Sequence, residues 1–149
     1  MALVVDASVG LKWILQEDES LLAHALATGE EELLVPDFWL HEACNVMWLQ
    51  VHHRLLTPEE ARQGLSLLRA LVEPTPTAEL ALHDIALDIA LAIDHSPYDT
   101  MYVAFAIAVG ARAVVVADGA FSRNMRTHRD ATIAHLVLPL KVWAEERAG

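Results

Sequence analysis

This sequence has a single cysteine, no long apolar run and no basic segment before its first apolar run. Each of these features argues against one class of protein. The 149 residues contain one cysteine, Cys44, so no internal disulfide can form, which fits a reducing compartment. We expect Cys44 to be a small buried hydrophobic residue. The longest apolar run, from Met101 to Val109, is about half of the roughly 20 residues that a membrane-spanning helix requires. No basic segment precedes the first apolar run, as it would in a signal peptide. We therefore expect a cytoplasmic protein that is not inserted in a membrane.

Basic residues are also few. The chain has 10 Lys and Arg against 21 Asp and Glu, with a formal net charge of −11. A net negative charge is not typical of a general nucleic-acid binder, but it is compatible with binding divalent cations and a basic protein partner. One segment departs from it, because residues 112–130 contain two aspartates and four arginines: Arg112, Arg123, Arg126 and Arg129. A solvated basic loop explains at least half of these arginines.

What is present is an alternation of short apolar strands and helices. Residues 2–5 are apolar and rich in Val, a pattern typical of a strand buried on both faces, and Asp6 follows them. A second such strand, residues 113–116, comes shortly before Asp118. Strands that alternate with helices predict an α/β domain with a parallel sheet. Its carboxyl ends share one edge, where open sheets bind ligands, so we expect Asp6 and Asp118 to lie close together.

The remaining elements follow from helical periodicity and capping residues, and nothing in the pattern divides residues 1–149 into more than one domain. A short strand is predicted at residues 33–35, an extended segment at 72–77 and a strand followed by a helix at 137–147. The predicted helices cover residues 8–16, 21–28, 38–53, 57–71, 78–93, 96–109 and 119–126.

Two further acids lie on predicted helices. Glu42 is in the most apolar helix, with Asn45 on the same face, and no Lys or Arg lies within a turn of it. A buried unpaired carboxylate is expensive, so an inward-facing Glu42 implies a partner or a metal. A solvent-facing Glu42 remains open. Asp99 lies three residues after Ser96 and fits the acidic half of a capping box, and Asp6 and Asp118 also fit helix caps.

Four carboxylates in one place would need a counter-charge. Two of them about 4 Å apart repel by roughly 4 kcal/mol at an effective dielectric of about 20. Protonation offsets such repulsion, and a hard divalent cation does so more effectively. Oxygen ligands without a competing Cys or His pattern indicate Mg²⁺ or Mn²⁺. The histidines form no recognisable site, since position 45 is Asn where a zinc-protease helix would have His.

Taken in order, these motifs resemble the PIN-domain ribonucleases. They are Asp6-Ala7-Ser8 after a strand, Glu42 with Asn45 on a helix, Tyr98-Asp99 at a helix start, and Asp118 after residues 114–117. The size is similar to that of VapC-type toxins of toxin–antitoxin pairs. The resemblance implies a three-layer α/β/α fold with a mainly parallel sheet of about five strands. Two positions depart from the pattern: Val116 replaces a Thr or Ser, and Gly119-Ala120 stands where many relatives have another acid.

The resemblance also implies a function. Asp6, Glu42, Asp99 and Asp118 would be catalytic acids that bind one or two Mg²⁺ or Mn²⁺ ions, with Ser8 and Asn45 in support. The reaction would be hydrolysis of RNA, with the four arginines of residues 112–130 positioning its backbone. The departure at Gly119-Ala120 bears on whether a second ion binds.

Two other functions remain open, and the resemblance adds partners. A non-catalytic PIN-like module would bind RNA or a protein without cutting, and a phosphoacceptor signalling domain would also gather acids at strand ends. Expected partners are RNA, an antitoxin protein whose tail blocks the acidic site, and a second copy in a homodimer. Trp39, Trp48 and Trp143 would suit such interfaces, although we expect Trp39 and Trp48 to belong to the core.

Overall fold

Four parallel strands form the centre of the protein. The computed structural model describes residues 1–117 and 119–149. In those ranges β1 (Leu3–Val5), β2 (Leu33–Leu34), β3 (Ala113–Val116) and β4 (Val137–Pro139) form one sheet in the order β2-β1-β3-β4, with every neighbouring pair parallel. Helices flank the sheet, as parallel connections require. The predicted α/β class is confirmed, with four described strands where about five were expected.

Most of the helices lie close to their predicted positions. They are α1 (Ala7–Gly10), α2 (Ser20–Ala27), α3 (Trp39–His52), α4 (Pro58–Leu71), α5 (Leu82–Ile93), α6 (Pro97–Val109), α7 (Gly119–Met125), α8 (Ala131–Ala134) and α9 (Leu140–Ala148), with a 3₁₀ turn at Leu11–Trp13.

Three of these helices differ from the prediction. The first is one turn of α-helix followed by the 3₁₀ turn. Helix α5 begins at Leu82 instead of residue 78, because Ala81 has a left-handed backbone with φ of 51°, which a right-handed helix cannot contain. Helix α8 was not predicted, although Asp130 caps it by accepting hydrogen bonds from the amides of Thr132 and Ile133.

The strands and one central helix build the core. Every residue of β1 and β3 is buried, which confirms that both strands are covered on two faces. Helix α6 buries a run of consecutive residues between Tyr102 and Ala106, so it is enclosed on most of its circumference. Asp6 therefore follows a fixed strand, and Asp99 lies in the first turn of a fixed helix.

Helix α3 corrects two expectations about burial. Its buried residues are Trp39, Ala43 and Met47, spaced four apart on one face. Cys44 and Trp48 each come one position later, about 100° around the helix, and both are exposed, with Trp48 at 59%. The expectations that Cys44 and Trp48 are buried were wrong, while Trp39 is a core residue as expected.

Helix length bears on membrane insertion. Within the described ranges, no helix combines the length and the apolar character needed to cross a bilayer.

Candidate functional site

Asp6 lies where β1 ends and α1 begins. Its Oδ1 accepts a hydrogen bond of 3.0 Å from the Val9 amide and one of 2.6 Å from the Ser8 hydroxyl. Asp6 is therefore the N-cap of α1, as the capping interpretation predicts. It also lies at the carboxyl edge of the sheet, where the site was expected. The capping bonds hold Oδ1 and fix the orientation of the carboxylate.

Ser8 connects Asp6 to the end of the neighbouring strand. While its hydroxyl donates to Asp6, its oxygen accepts a 3.2 Å hydrogen bond from the amide of Ala117, just after β3. The carboxyl ends of β1 and β3 are thus joined through one exposed side chain. Asp118, predicted to complete the site, lies outside the described residues.

Glu42 approaches the same edge from α3. It is partly buried, and its Oε2 accepts a 2.9 Å hydrogen bond from the hydroxyl of Tyr102 on α6. Tyr102 is 2% exposed, and it packs edge-on against Phe38 with ring centroids 5.1 Å apart. Glu42 therefore faces inward and has a partner, which excludes the open alternative of a freely solvated side chain. Asn45, its predicted companion, is exposed on α3.

Asp99 lies in the first turn of α6 and has a different partner from the one that a capping box implies. Ser96 caps the helix by accepting from the Tyr98 amide. The Oδ2 of Asp99 lies 2.7 Å from Nε2 of His95, four residues earlier. The other ring nitrogen of His95 lies 2.9 Å from Nδ2 of Asn124 on α7. Asp99 is thus held by a chain of side chains that reaches a second helix.

The charge of Asp99 acts on both other described acids, and the charge of Glu42 acts on Asp6. Burial raises the pKa of Asp6 to about 7, and the negative charges of Asp99 and Glu42 add to that rise against the hydrogen bonds from Ser8 and Val9. Burial also raises the pKa of Glu42, with a further contribution from Asp99 and an opposing one from Tyr102. The pKa of the Tyr102 hydroxyl is raised by burial and by the charges of Glu42 and Asp6. Asp6, Glu42 and Asp99 therefore form one acidic cluster.

The acidic cluster lacks a counter-ion among the described side chains. None of its three acids forms an ion pair with a lysine or arginine in residues 1–117 and 119–149. The described side chains also contain no group of three or more His, Cys, Asp or Glu arranged to hold a metal ion by themselves. The donors are carboxylate oxygens, which suit Mg²⁺ or Mn²⁺, and the pKa values of Asp6 and Glu42 are raised mainly by burial.

The predicted basic residues separate into two groups. Arg112 precedes β3, at the opposite edge of the sheet from Asp6, where its guanidinium lies 3.0 Å from Glu31 and 3.8 Å from Glu146. Arg123, Arg126 and Arg129 form no ion pair with any described residue, and Arg126 and Arg129 are exposed. Arg123 lies over the start of α7, since a Cβ at Gly119 would be 2.9 Å from its Nη1. The structure does not bring Arg112 to the acidic cluster.

Two partners of the acids were not predicted from the sequence. Tyr102 lies three residues after Asp99 on α6, a spacing that places both side chains on one face of the helix, and His95 lies four residues before Asp99. The position of Tyr102 on the same helix face as Asp99 could thus have been predicted from the sequence. His95 was hidden because Pro97 marks the start of α6, so that His95 falls in the connection between helices.

A mostly apolar cleft opens beside Glu42. Its volume is about 570 Å³, and it lies between the start of α3, helix α5 and the start of α6. Phe38, Tyr98 and Met101 contribute to its walls, and Glu42 is part of its lining. Glu42 is thus accessible from a concave surface.

Comparisons with known proteins agree with this architecture. The chain matches the family described as PIN domain over residues 3–126. Among solved structures it is similar to the crystal structure of PAE2754 from Pyrobaculum aerophilum, with a TM-score of 0.65 and 18% sequence identity, covering 99% of this chain and 90% of that one. The TM-score indicates a shared fold, and at 18% identity the likeness shows the fold alone. Curated proteins give no significant match to the sequence.

Proposed function

This chain belongs to the PIN domain family, and from that premise we propose that it is a metal-dependent ribonuclease that hydrolyses RNA phosphodiester bonds. Membership of the family makes its fold a nuclease-type fold. The observation that carries the proposal is the acidic cluster: Asp6, Glu42 and Asp99 come from three distant segments, yet the charge of Asp99 raises the pKa values of the other two. Folding brings these acids together without a lysine or arginine partner among the described residues, which favours a cation as the missing component.

The proposed ligands are Asp6, Glu42, Asp99 and Asp118, binding one or two Mg²⁺ or Mn²⁺ ions. When bound, such a cation supplies Lewis-acid chemistry that activates water and offsets charge on a phosphate. The side chains around the acids keep them in place. Ser8 and Val9 hold one oxygen of Asp6, and Tyr102 holds one oxygen of Glu42. Because the oxygens are already oriented, binding a cation costs little side-chain ordering.

We propose that Arg123, Arg126 and Arg129 position the RNA backbone. Guanidinium groups suit phosphate oxygens, and these three form no ion pair within the described part of the chain. Arg112 is a weaker candidate, because its ion pairs with Glu31 and Glu146 occupy its guanidinium far from the acidic cluster.

We further propose that the protein is a single PIN domain acting in the cytoplasm as the VapC-type toxin of a toxin–antitoxin pair. An acidic body of net charge −11 suits a basic segment of an antitoxin. Exposed apolar side chains support a homodimer, among them Leu91 at 73% and Leu87 at 49% on α5, and Trp48 at 59% on α3. Sedimentation as a monomer at micromolar concentration would contradict the homodimer.

The acidic cluster is tested by an amide substitution with a matched control. Asp99→Asn keeps the size of the side chain and removes its charge, so we expect Mg²⁺-dependent cleavage of RNA to be lost while the protein stays folded. Asp88→Asn, at an exposed position on α5, should cleave like the wild type. Cleavage at the wild-type rate by Asp99→Asn protein would remove Asp99 from the site.

The metal requirement is tested separately from cleavage. A cation that binds only the native state raises its melting temperature, so Mg²⁺ or Mn²⁺ should raise that of the wild type and have a smaller effect on Asp99→Asn. If the wild type neither cleaves RNA nor responds to either ion, the proposal is wrong, and a non-catalytic binding module becomes the better description.

A further inference from the structure

A histidine outside the acidic cluster connects one of its acids to helix α7. His95 lies between α5 and α6, and its side chain is 18% exposed. Its backbone amide donates to the carbonyl of Ala90 at the end of α5. Its ring stacks on Phe121 of α7, with centroids 4.7 Å apart and planes at 25°. The ring is therefore held in place by packing, independently of its hydrogen bonds.

The two ring nitrogens have distinct partners that determine the position of the proton. Nδ2 of Asn124 is an amide donor, so Nδ1 of His95, 2.9 Å away, accepts from it. The proton of the neutral ring is then on Nε2, which donates to Oδ2 of Asp99 across 2.7 Å. Asn124 thereby selects the tautomer that can hold the carboxylate.

From this arrangement we propose that His95 is a positioning residue that fixes the carboxylate of Asp99 for cation binding, with Asn124 setting its tautomer. The inference rests on the proposed function. The Nε2–H bond engages one oxygen of Asp99 and leaves the second for a cation. Because Asp99 is on α6 and Asn124 is on α7, the same contacts connect these two helices. Groups that orient metal ligands in this way usually change metal affinity when they are removed.

Two substitutions of His95 separate positioning from packing. Gln has an amide nitrogen at about the reach of Nε2, whereas the amide of Asn ends near Nδ1, so only His95→Gln keeps a donor for Asp99. Both lose the stacking on Phe121. We expect the Mn²⁺ dissociation constant, measured by electron paramagnetic resonance, to rise on the order of 10-fold in His95→Asn and to stay near the wild-type value in His95→Gln.

Asn124→Leu should weaken Mn²⁺ binding, because it removes the donor that sets the tautomer of His95. His24→Asn, at an exposed position on α2, is the control and should leave Mn²⁺ binding unchanged.

A second measurement is independent of any metal. The ¹⁵N chemical shifts of the ring should show His95 of the wild-type protein as the Nε2–H tautomer in the absence of divalent ions. An Nδ1–H tautomer would overturn the inference, because that ring has no proton to donate to Asp99.

The outcomes also distinguish this inference from the proposed function. Wild-type protein that does not bind Mn²⁺ would contradict the proposed function and the inference with it. Wild-type binding that persists at equal affinity in His95→Asn would overturn the inference alone. If His95→Gln and His95→Asn lower the melting temperature by the same amount and weaken Mn²⁺ binding by the same factor, His95 acts only through packing. That outcome also overturns the inference.

Discussion

At the scale of single residues, Asp6 combines two roles that the sequence presents as alternatives. It caps α1 through Oδ1, and the same carboxylate belongs to the acidic cluster. In the unfolded chain this acid has its ordinary pKa of 3.8, and in the folded protein the value rises to about 7. Folding therefore takes up a proton between these two pH values, so the free energy of unfolding falls as pH rises through that window.

Asp6→Asn should remove this pH dependence. The Asn amide oxygen can accept the same bonds from Val9 and Ser8, so the cap is kept while the charge is lost. In the absence of divalent ions we expect the melting temperature of the wild type to fall between about pH 4 and pH 7 more steeply than that of the variant. At about pH 8 the variant should melt at the higher temperature.

Asp130→Asn is the matched control for Asp6→Asn. Asp130 is also the N-cap of a short helix, but it is exposed and precedes α8. Asp130 lies outside the acidic cluster, so if Asp130→Asn flattened the curve of melting temperature against pH as much as Asp6→Asn, the effect would not be specific to Asp6. Parallel curves for wild type and Asp6→Asn would show that Asp6 does not titrate in the window.

Tyr102→Phe should destabilise the protein without changing the packing of the ring. The substitution removes the donor to Glu42, and the loss of one hydrogen bond costs about 1 kcal/mol in the free energy of unfolding. The pKa of Glu42 should rise further, because this bond holds it down. Urea denaturation measures the effect. Tyr98→Phe, at a side chain that is 79% exposed, should change the free energy by less than about 0.5 kcal/mol.

The acids could be predicted from the sequence more readily than their partners. Asp6 follows an apolar strand, and Glu42 has no basic neighbour on an apolar helix, so each was visible within a few residues. The bond between Tyr102 and Glu42 joins positions 60 residues apart, and no local pattern reports it. The pairing of His95 with Asn124 likewise depends on how α7 docks after β3. Long-range side-chain partners depend on tertiary packing, which short motifs do not encode.

At the scale of elements, a close approach between α1 and α3 sets the two helices relative to each other. Gly10 ends α1, and a Cβ built there would be 2.3 Å from Cζ2 of Trp39, the first residue of α3. Trp39 is fully buried and packs against Trp13 with ring centroids 6.2 Å apart, so its ring has no room to move. The segments that carry Asp6 and Glu42 approach each other at this point.

Gly10→Ala should therefore destabilise the protein. Overpacking of a fixed ring costs about 1–3 kcal/mol, and chemical denaturation measures the loss. Gly29→Ala is the matched control, because its Cβ would meet the carbonyl oxygens of Ala25 and Leu26 at 3.4 Å, an ordinary contact. Equal stability of the Gly10→Ala variant and the wild type would show that α1 can shift away from α3.

Element boundaries were predictable where a local signal exists. Thr57 and Glu60 form a capping box, a Thr and a Glu three residues apart in the sequence, and Pro58 is the first residue of α4. The start of α5 at Leu82 depends on the left-handed backbone of Ala81, a residue type that rarely adopts it, so no local pattern marks this boundary. The exposure of Trp48 was missed because its helix is apolar on more than one face, and only packing determines which face is buried.

At the scale of the whole molecule, the distribution of charge matters more than its sum. The net charge is −11, yet Arg123, Arg126 and Arg129 lie in and just after α7, the helix that begins next to Asp118. A polyanion is attracted only where this local positive charge outweighs the acidic body. RNA binding should therefore be weak overall and sensitive to salt.

The arginines are tested by the salt dependence of binding. In an Asp99→Asn background that does not cleave, Arg126→Ala combined with Arg129→Ala should lower the affinity for single-stranded RNA. The slope of log affinity against log salt should fall by about 0.7 for each phosphate that an arginine no longer neutralises. Arg62→Ala, on α4, should leave both unchanged. An unchanged slope in the double variant would place the RNA elsewhere.

The order of strands in the sheet bears on when the end of β1 becomes fixed during synthesis. Strand β1 pairs with β3, so Val4 meets its partner Val114 only after 110 further residues have been synthesised. A nascent chain that stops short of β3 has no partner on that side of β1, so the strand that precedes Asp6 can pair only with β2. The strand pairing that fixes the end of β1, where Asp6 lies, therefore forms only after the segments that carry Glu42 and Asp99 have been synthesised.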